Sequence, residues 1–125
     1  MKTQKYEGKV VKVTDGDTIK VEVYGEFFET KLSQTLNIRM VGIDAPEIHG
    51  VEAPMGVKTK AWLKDRIEGK TVTVELQGKD YYKRWLGTLF DGETNINELL
   101  VKEHLAEIYS PEKHNDGVLD IEEEE

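Results

Sequence analysis

A chain of 125 residues, 38% of them hydrophobic, has room for one compact core and not for two. The absence of cysteine excludes a disulfide framework, a thiolate metal site and a thiol nucleophile; the first residues lack the apolar run of a signal peptide and no segment nears membrane-spanning length, so a soluble, cytoplasmic monomer is expected. The net charge of −8 disfavours a tight binder of polyanions, but residues 112–125 alone hold seven acids against one base, and without them 25 acids and 17 bases become 18 and 16.

Residues 10–14 form a β-branched strand, Asp15-Gly16-Asp17 a tight turn, and residues 19–23 an alternating strand with Ile19, Val21 and Val23 on one face. Gly16 lets the turn take a positive φ and throw the Asp17 carboxylate outward. A second turn is expected at Tyr24-Gly25-Glu26, a third strand from Phe27, and a polar break at Ser33-Gln34-Thr35.

The next strand, Leu36-Asn37-Ile38-Arg39-Met40-Val41, places an arginine in an apolar run. A guanidinium buried there costs several kcal/mol without a partner, because it cannot shed its proton. Asp44 and Glu47 follow on Gly42-Ile43-Asp44-Ala45-Pro46-Glu47, where the proline stiffens the chain between them. Two such carboxylates suit a metal held through oxygen; taken alone, they suit an ion pair at an ordinary turn better.

After a loop over residues 48–54, a helix is expected from Met55 or Gly56 to Glu68, with Thr59, Trp62, Leu63 and Ile67 on one face and Gly69 as its stop. Trp62 reads as a core anchor, and His49 as an exposed loop residue in preference to a metal ligand. Residues 71–76 alternate as a strand that turns at Gly78-Lys79-Asp80. Asp80-Tyr81-Tyr82-Lys83-Arg84-Trp85-Leu86-Gly87 then sets an arginine before a strand, with tyrosines upstream whose rings can stack on bases; taken alone, the segment reads better as a solvated cationic turn before the aromatic edge of a hairpin. Asp91-Gly92-Glu93 is a hairpin turn. Asn97 caps a second helix from Glu98 to about Glu103, with Ile96, Leu99 and Leu100 inward and His104 near its end as a neutral or left-handed cap. Beyond Pro111 the composition is that of a disordered acidic tail, so the domain is expected over residues 1–111 and the tail over 112–125.

Val13-Thr14-Asp15-Gly16-Asp17-Thr18, the Arg39-to-Glu47 stretch and Asp80 to Gly87, with the helices between them and Ile96-Asn97-Glu98-Leu99-Leu100-Val101, together resemble the staphylococcal nuclease (thermonuclease) family over roughly residues 9–111. The resemblance implies an OB-fold of mainly β, α+β class: a five-stranded Greek-key barrel with two packed helices. It implies calcium-dependent hydrolysis of phosphodiesters in DNA or RNA to 3′-phosphate ends, with little sequence selectivity. By the same likeness Asp17, Asp44, the Ala45 carbonyl and Glu47 hold the calcium ion. Glu47 positions or deprotonates water, and Arg39 and Arg84 grip the scissile phosphate. Asp80, Tyr82 and Tyr109 meet the substrate. Departures are Lys83 before Arg84 and His104 after the second helix, where the family usually has glycine, a short loop over residues 48–54, and too few residues after Pro111 for the usual final helix. The alternative implied is a non-catalytic OB-fold module that binds nucleic acid or protein.

Overall fold

A computed structural model describes residues 3–109. The elements run β1 (Gln4–Asp15), β2 (Thr18–Phe27), β3 (Thr30–Met40), β4 (Ile43–Asp44), a 3₁₀ turn (Gly50–Glu52), α1 (Ala53–Ile67), β5 (Thr71–Lys79), β6 (Trp85–Asp91), β7 (Thr94–Asn95), α2 (Ile96–Lys102) and β8 (Glu107–Ile108). Alternation drives the sheet: Val10, Ile19, Val21, Ile38, Met40 and Val74 are fully buried while their neighbours along each strand face out. The strands lie in the order β3-β2-β1-β5-β6, and β6 returns to pair in parallel with β3 through Ile38↔Trp85, Arg39↔Leu86 and Met40↔Gly87. That one parallel join closes five strands into the barrel expected of an OB-fold.

Helix α1 stoppers one end, burying Thr59, Leu63 and Ile67, with Trp62 half-buried at the rim of the core. It begins earlier than expected because Pro54 is tolerated in the first turn, where its missing N–H has no helical partner to lose. Gly69 ends it in the left-handed region at φ 85° and donates its N–H to the Val10 carbonyl at 2.7 Å. The Glu68 carboxylate accepts from the Val13 N–H at 3.0 Å, so the helix exit is stitched to β1 twice.

Three turn assignments need correction. The chain does not turn at residues 24–26, and residues 33–35 do not break the strand. Tyr24 pairs with Ser33 and Gly25 with Leu32 in an unbroken ladder, and the reversal falls at Phe28 and Glu29, both with positive φ. Backbone pairing with β2 holds residues whose side chains are too polar to signal a strand. Likewise β5 runs on to Lys79, and the turn lies at residues 81–83. The cap of α2 is Asn95, whose side chain accepts from the Glu98 N–H at 3.0 Å. Asn97 is instead buried inside the helix.

His104 sits at φ 62° just beyond α2, in the left-handed cap position expected for it. Leu105 donates back to the Leu100 carbonyl at 2.9 Å, closing the helix end. A side chain in that region costs roughly 1–2 kcal/mol that glycine escapes, partly offset by glycine's greater unfolded-state entropy. His104→Gly is therefore expected to raise the melting temperature by about 3–6 °C, read by thermal denaturation; an unchanged or lower value contradicts the cap geometry. The expected acidic tail, and the missing final helix, lie outside the described residues.

Candidate functional site

Asp17 stands at the tip of the β1–β2 hairpin, and its backbone carbonyl accepts from the Met40 N–H at 2.8 Å. Thr18 pairs with Arg39 across β2 and β3, so hairpin tip and arginine meet at one end of the barrel. The Asp17 Oδ2 accepts from the Ala45 N–H at 2.9 Å, drawing the loop after β4 against the tip. Gly16 makes that approach possible, though for a different reason than a positive φ, which it does not adopt. A Cβ there would fall 2.6 Å from Thr59 Cγ2 and 2.8 Å from the Ala45 Cβ, so glycine is required by crowding.

Arg39 alternates with the core residues Ile38 and Met40 and so faces out of the barrel. Its side chain is only 13% exposed, and its fork lies between two acids: Nη1 is 3.6 Å from Asp17 Oδ2 and Nη2 3.9 Å from Asp44 Oδ1. Nη1 also donates to the Met40 carbonyl at 2.7 Å, which fixes the rotamer. Burial first, and the Asp17 carboxylate second, raise the Asp15 carboxyl above its ordinary value. Its ionised form thus costs stability that returns as pH falls through the folded-state pKa.

Arg84 precedes β6. In the parallel register Leu86, two residues after Arg84, pairs with Arg39, so the segment carrying the second arginine enters β6 beside the strand that carries the first. The inward side of β6 at this point is Gly87, where an added Cβ would press on Ile38 and Leu76 of the core. Asp80 aims the second arginine. Its carboxylate is fully buried; Oδ1 accepts from the Tyr82 and Arg84 N–H groups at 2.9 Å each, and Oδ2 lies 2.8 Å from both Nε and Nη2 of Arg84. The expectation that Asp80 meets substrate is corrected: a carboxylate turned inward and occupied on both oxygens acts by holding Arg84. Lys83 takes φ 67°, so the turn keeps a glycine-like shape on a lysine. Tyr82 is 60% exposed, with the Arg84 guanidinium 5.5 Å from its ring centre, and Tyr109 has the Arg39 guanidinium 6.0 Å from its own. Each predicted tyrosine therefore flanks a predicted arginine.

Glu47 stays on the exposed loop, its N–H donating to the Glu52 carboxylate at 2.8 Å. Its backbone is held against α1 at Gly56, where any Cβ would collide with the Glu47 carbonyl. His49 is exposed too, and among the described residues no three His, Asp or Glu side chains gather as a metal cluster. Asp17 and Asp44 do converge on a single cation, the Arg39 fork, and supply the hard oxygens that a calcium ion prefers. To that extent the residues fit the ion; Glu47 does not join them in this arrangement.

Two determinants escape sequence reading. Gly56 reads as an ordinary helix residue. Asn97 reads as a cap, yet its Oδ1 accepts from the Leu89 N–H at 3.0 Å, and its Nδ2 donates to the carbonyls of Val41 at 2.9 Å and Gly87 at 3.2 Å. It ties β6, which follows Arg84, to the end of β3, which carries Arg39. The available signal is an amide three residues before buried Leu100, on the inward stripe. Asn97→Ala is expected to cost about 3 kcal/mol in urea unfolding, because it takes the side-chain partner from the Leu89 N–H and the Val41 carbonyl, while the Gly87 carbonyl still accepts from the Val41 N–H; a loss under about 1 kcal/mol contradicts the bracing role.

The segment closing the site has no signal in the sequence either. β8 pairs with β4 through Asp44↔Glu107, and the Tyr109 N–H donates to the Gly42 carbonyl at 2.9 Å. The Thr59 hydroxyl donates to the Leu105 carbonyl at 2.6 Å, so α1 anchors the same segment.

The sequence profile of the family described as Staphylococcal nuclease homologue matches residues 37–124. An endonuclease named Htp3 from Saprolegnia parasitica is 35% identical over 116 residues, covering 82% of this chain and 55% of its own length. An uncharacterised endonuclease of Escherichia coli O157:H7 is 37% identical over 117 residues, covering 91% of this chain and 67% of its own. The thermonuclease of Staphylococcus hyicus is 35% identical over 103 residues, covering 78% and 56%. The chain spans little more than half the length of the first and third of these relatives.

Proposed function

The chain belongs to the staphylococcal nuclease family, and from that premise we propose that it is a calcium-dependent nuclease, hydrolysing DNA or RNA with little sequence selectivity to 3′-phosphate ends. The observation that carries this reading is two arginines each set by carboxylates, one of them paired across the barrel closure with Leu86, two residues after the other, and two of those carboxylates converging beside the first.

In this reading Arg39 and Arg84 bind the non-bridging oxygens of the scissile phosphate and stabilise the charge that gathers there as water attacks. Asp17, Asp44 and the Ala45 carbonyl hold the calcium ion, which when bound polarises a phosphoryl oxygen. Glu47 takes the proton from the attacking water, an effect on the order of 10²- to 10⁴-fold. The new P–O bond forms as the P–O5′ bond breaks; the 5′ oxygen leaves as a hydroxyl after gaining a proton, and the phosphate stays on the 3′ side. Tyr82 and Tyr109 stack on bases, which every base allows, so cleavage reads little sequence.

Single-stranded and plasmid DNA should be degraded with calcium, spared with EGTA, and cut at least ~10²-fold more slowly by Glu47→Gln. Undiminished digestion in chelator overturns the metal assignment, and full activity of Glu47→Gln overturns its role as base. Binding to DNA without any cleavage under all conditions favours the non-catalytic module.

A further inference from the structure

We propose that the β2–β3 hairpin is a self-association arm, through which two copies of this chain pair antiparallel along the open edge of β3. Every residue from 24 to 35 is exposed, although β2 and β3 remain in register throughout. The hairpin therefore projects beyond the barrel as a two-stranded ribbon. It carries large apolar side chains into solvent: Tyr24 is 60% exposed, Phe27 64%, Phe28 87% and Leu32 54%. The two phenylalanine rings lie 4.5 Å apart at the tip. An isolated ribbon is marginal in water, and this one leaves apolar side chains uncovered on both faces, Phe27 and Leu32 on one and Tyr24 on the other.

Two features select a second copy over other occupants. The arm bears Glu22, Glu26 and Glu29 against Lys20 and Lys31, a near-neutral balance without the basic patch that nucleic acid or anionic lipid would need. The edge is also the right length for itself. β3 meets β6 only from Ile38 onward, so among the described residues its outer side is unpaired from 30 to 37, with Lys31 as the sole charge. Edges are normally blunted by charge, proline or brevity, and Lys31 is the one such device over residues 30–37. Antiparallel pairing about a two-fold axis at Ser33 sets Leu32 against Gln34 and Lys31 against Thr35 of the other copy, with no like charges opposed. The same register brings Phe28 level with residue 38 of the other copy, where that copy's β6 begins. Each aromatic tip thus ends against the lip of the other barrel.

The test is sedimentation equilibrium of the full chain, which needs no nuclease activity and so stands apart from the functional reading. The mass should approach twice the 14.3 kDa of one chain at tens of micromolar. Phe27→Ser with Phe28→Ser, and separately Leu32→Lys, should weaken association at least ~100-fold. The chain has no cysteine, so Ser33→Cys alone should give a disulfide-linked dimer on mild oxidation, while a control Lys58→Cys on α1 should not. This second measurement holds even if the aromatic variants fold poorly. A chain still monomeric at about 200 μM overturns the proposal. So does a dimer that survives both arm variants, or a Ser33→Cys protein that stays monomeric while an oligonucleotide protects its new thiol from alkylation.

Discussion

Arg84→Ala should lower kcat for DNA cleavage by about 10³- to 10⁵-fold with KM changed much less, because a guanidinium placed for developing phosphoryl charge acts mainly in the transition state. Arg84→Lys should recover little of this, since an ammonium cannot reproduce a planar fork aimed from one side. The sharper experiment is at Asp80. Its Oδ1 shapes the turn through two N–H groups, while its Oδ2 holds Nε and Nη2 of Arg84. Asp80→Asn keeps an acceptor for the turn and presents a donor to the guanidinium, so the chain should fold while Arg84 loses its aim. A fall of about 10- to 100-fold in kcat, with circular dichroism unchanged, is the expected result. If Asp80→Asn matches the parent in turnover, the pinning of Arg84 is irrelevant to catalysis.

Arg39→Ala should have a double effect, on turnover and on stability, that only one condition separates. The substitution removes the cation between Asp17 and Asp44, whose side chains are 13% and 20% exposed, and leaves carboxylates facing each other. Without calcium the variant should lose about 2–3 kcal/mol of stability, below the range for fully buried pairs because water still reaches the site. With millimolar calcium much of that loss should return, since a divalent ion replaces the missing charge where the guanidinium stood, yet kcat should remain about 10³-fold down. Thermal melts with and without EGTA, paired with digestion assays, separate the two effects. Rescue of stability by calcium with activity also restored would make Arg39 a structural ion-pair partner only. A variant whose stability ignores calcium would sink the assignment of Asp17 and Asp44 as ligands.

Local motifs mislead most at Gly16, Asn97 and the β2–β3 arm. Gly16 looks like a turn glycine and is needed instead because Thr59, far along the chain on α1, leaves no space for a Cβ. Asn97 follows Ile96 as a cap might, but its amide reaches β6 and the end of β3, whose proximity depends on closing the barrel. In the arm, Ser33, Gln34 and Thr35 carry no strand signal, because the ladder to β2 that holds them uses only main-chain atoms.

What the amino-acid order determined unaided was the periodic part: the alternation of Ile19, Val21 and Val23, the helical face of Thr59, Leu63 and Ile67, the stop at Gly69, and an arginine in an apolar strand that demanded nearby acids. These are short-range consequences of side-chain geometry and solvation, legible within a dozen residues. The tertiary structure alone decided that Asp17 and Asp44 share one guanidinium, that Asp80 turns inward to hold Arg84, that Asn97 braces β6 against the end of β3, and that β3 is left with an open edge. The meeting of Asp17 with Asp44, the reach of Asn97 and the open edge depend on which distant segments the barrel brings together, and a slip of one residue in β3 would turn Arg39 to the opposite face. Asp80 and Arg84 are only four residues apart, but the folded surroundings decide that this carboxylate turns inward.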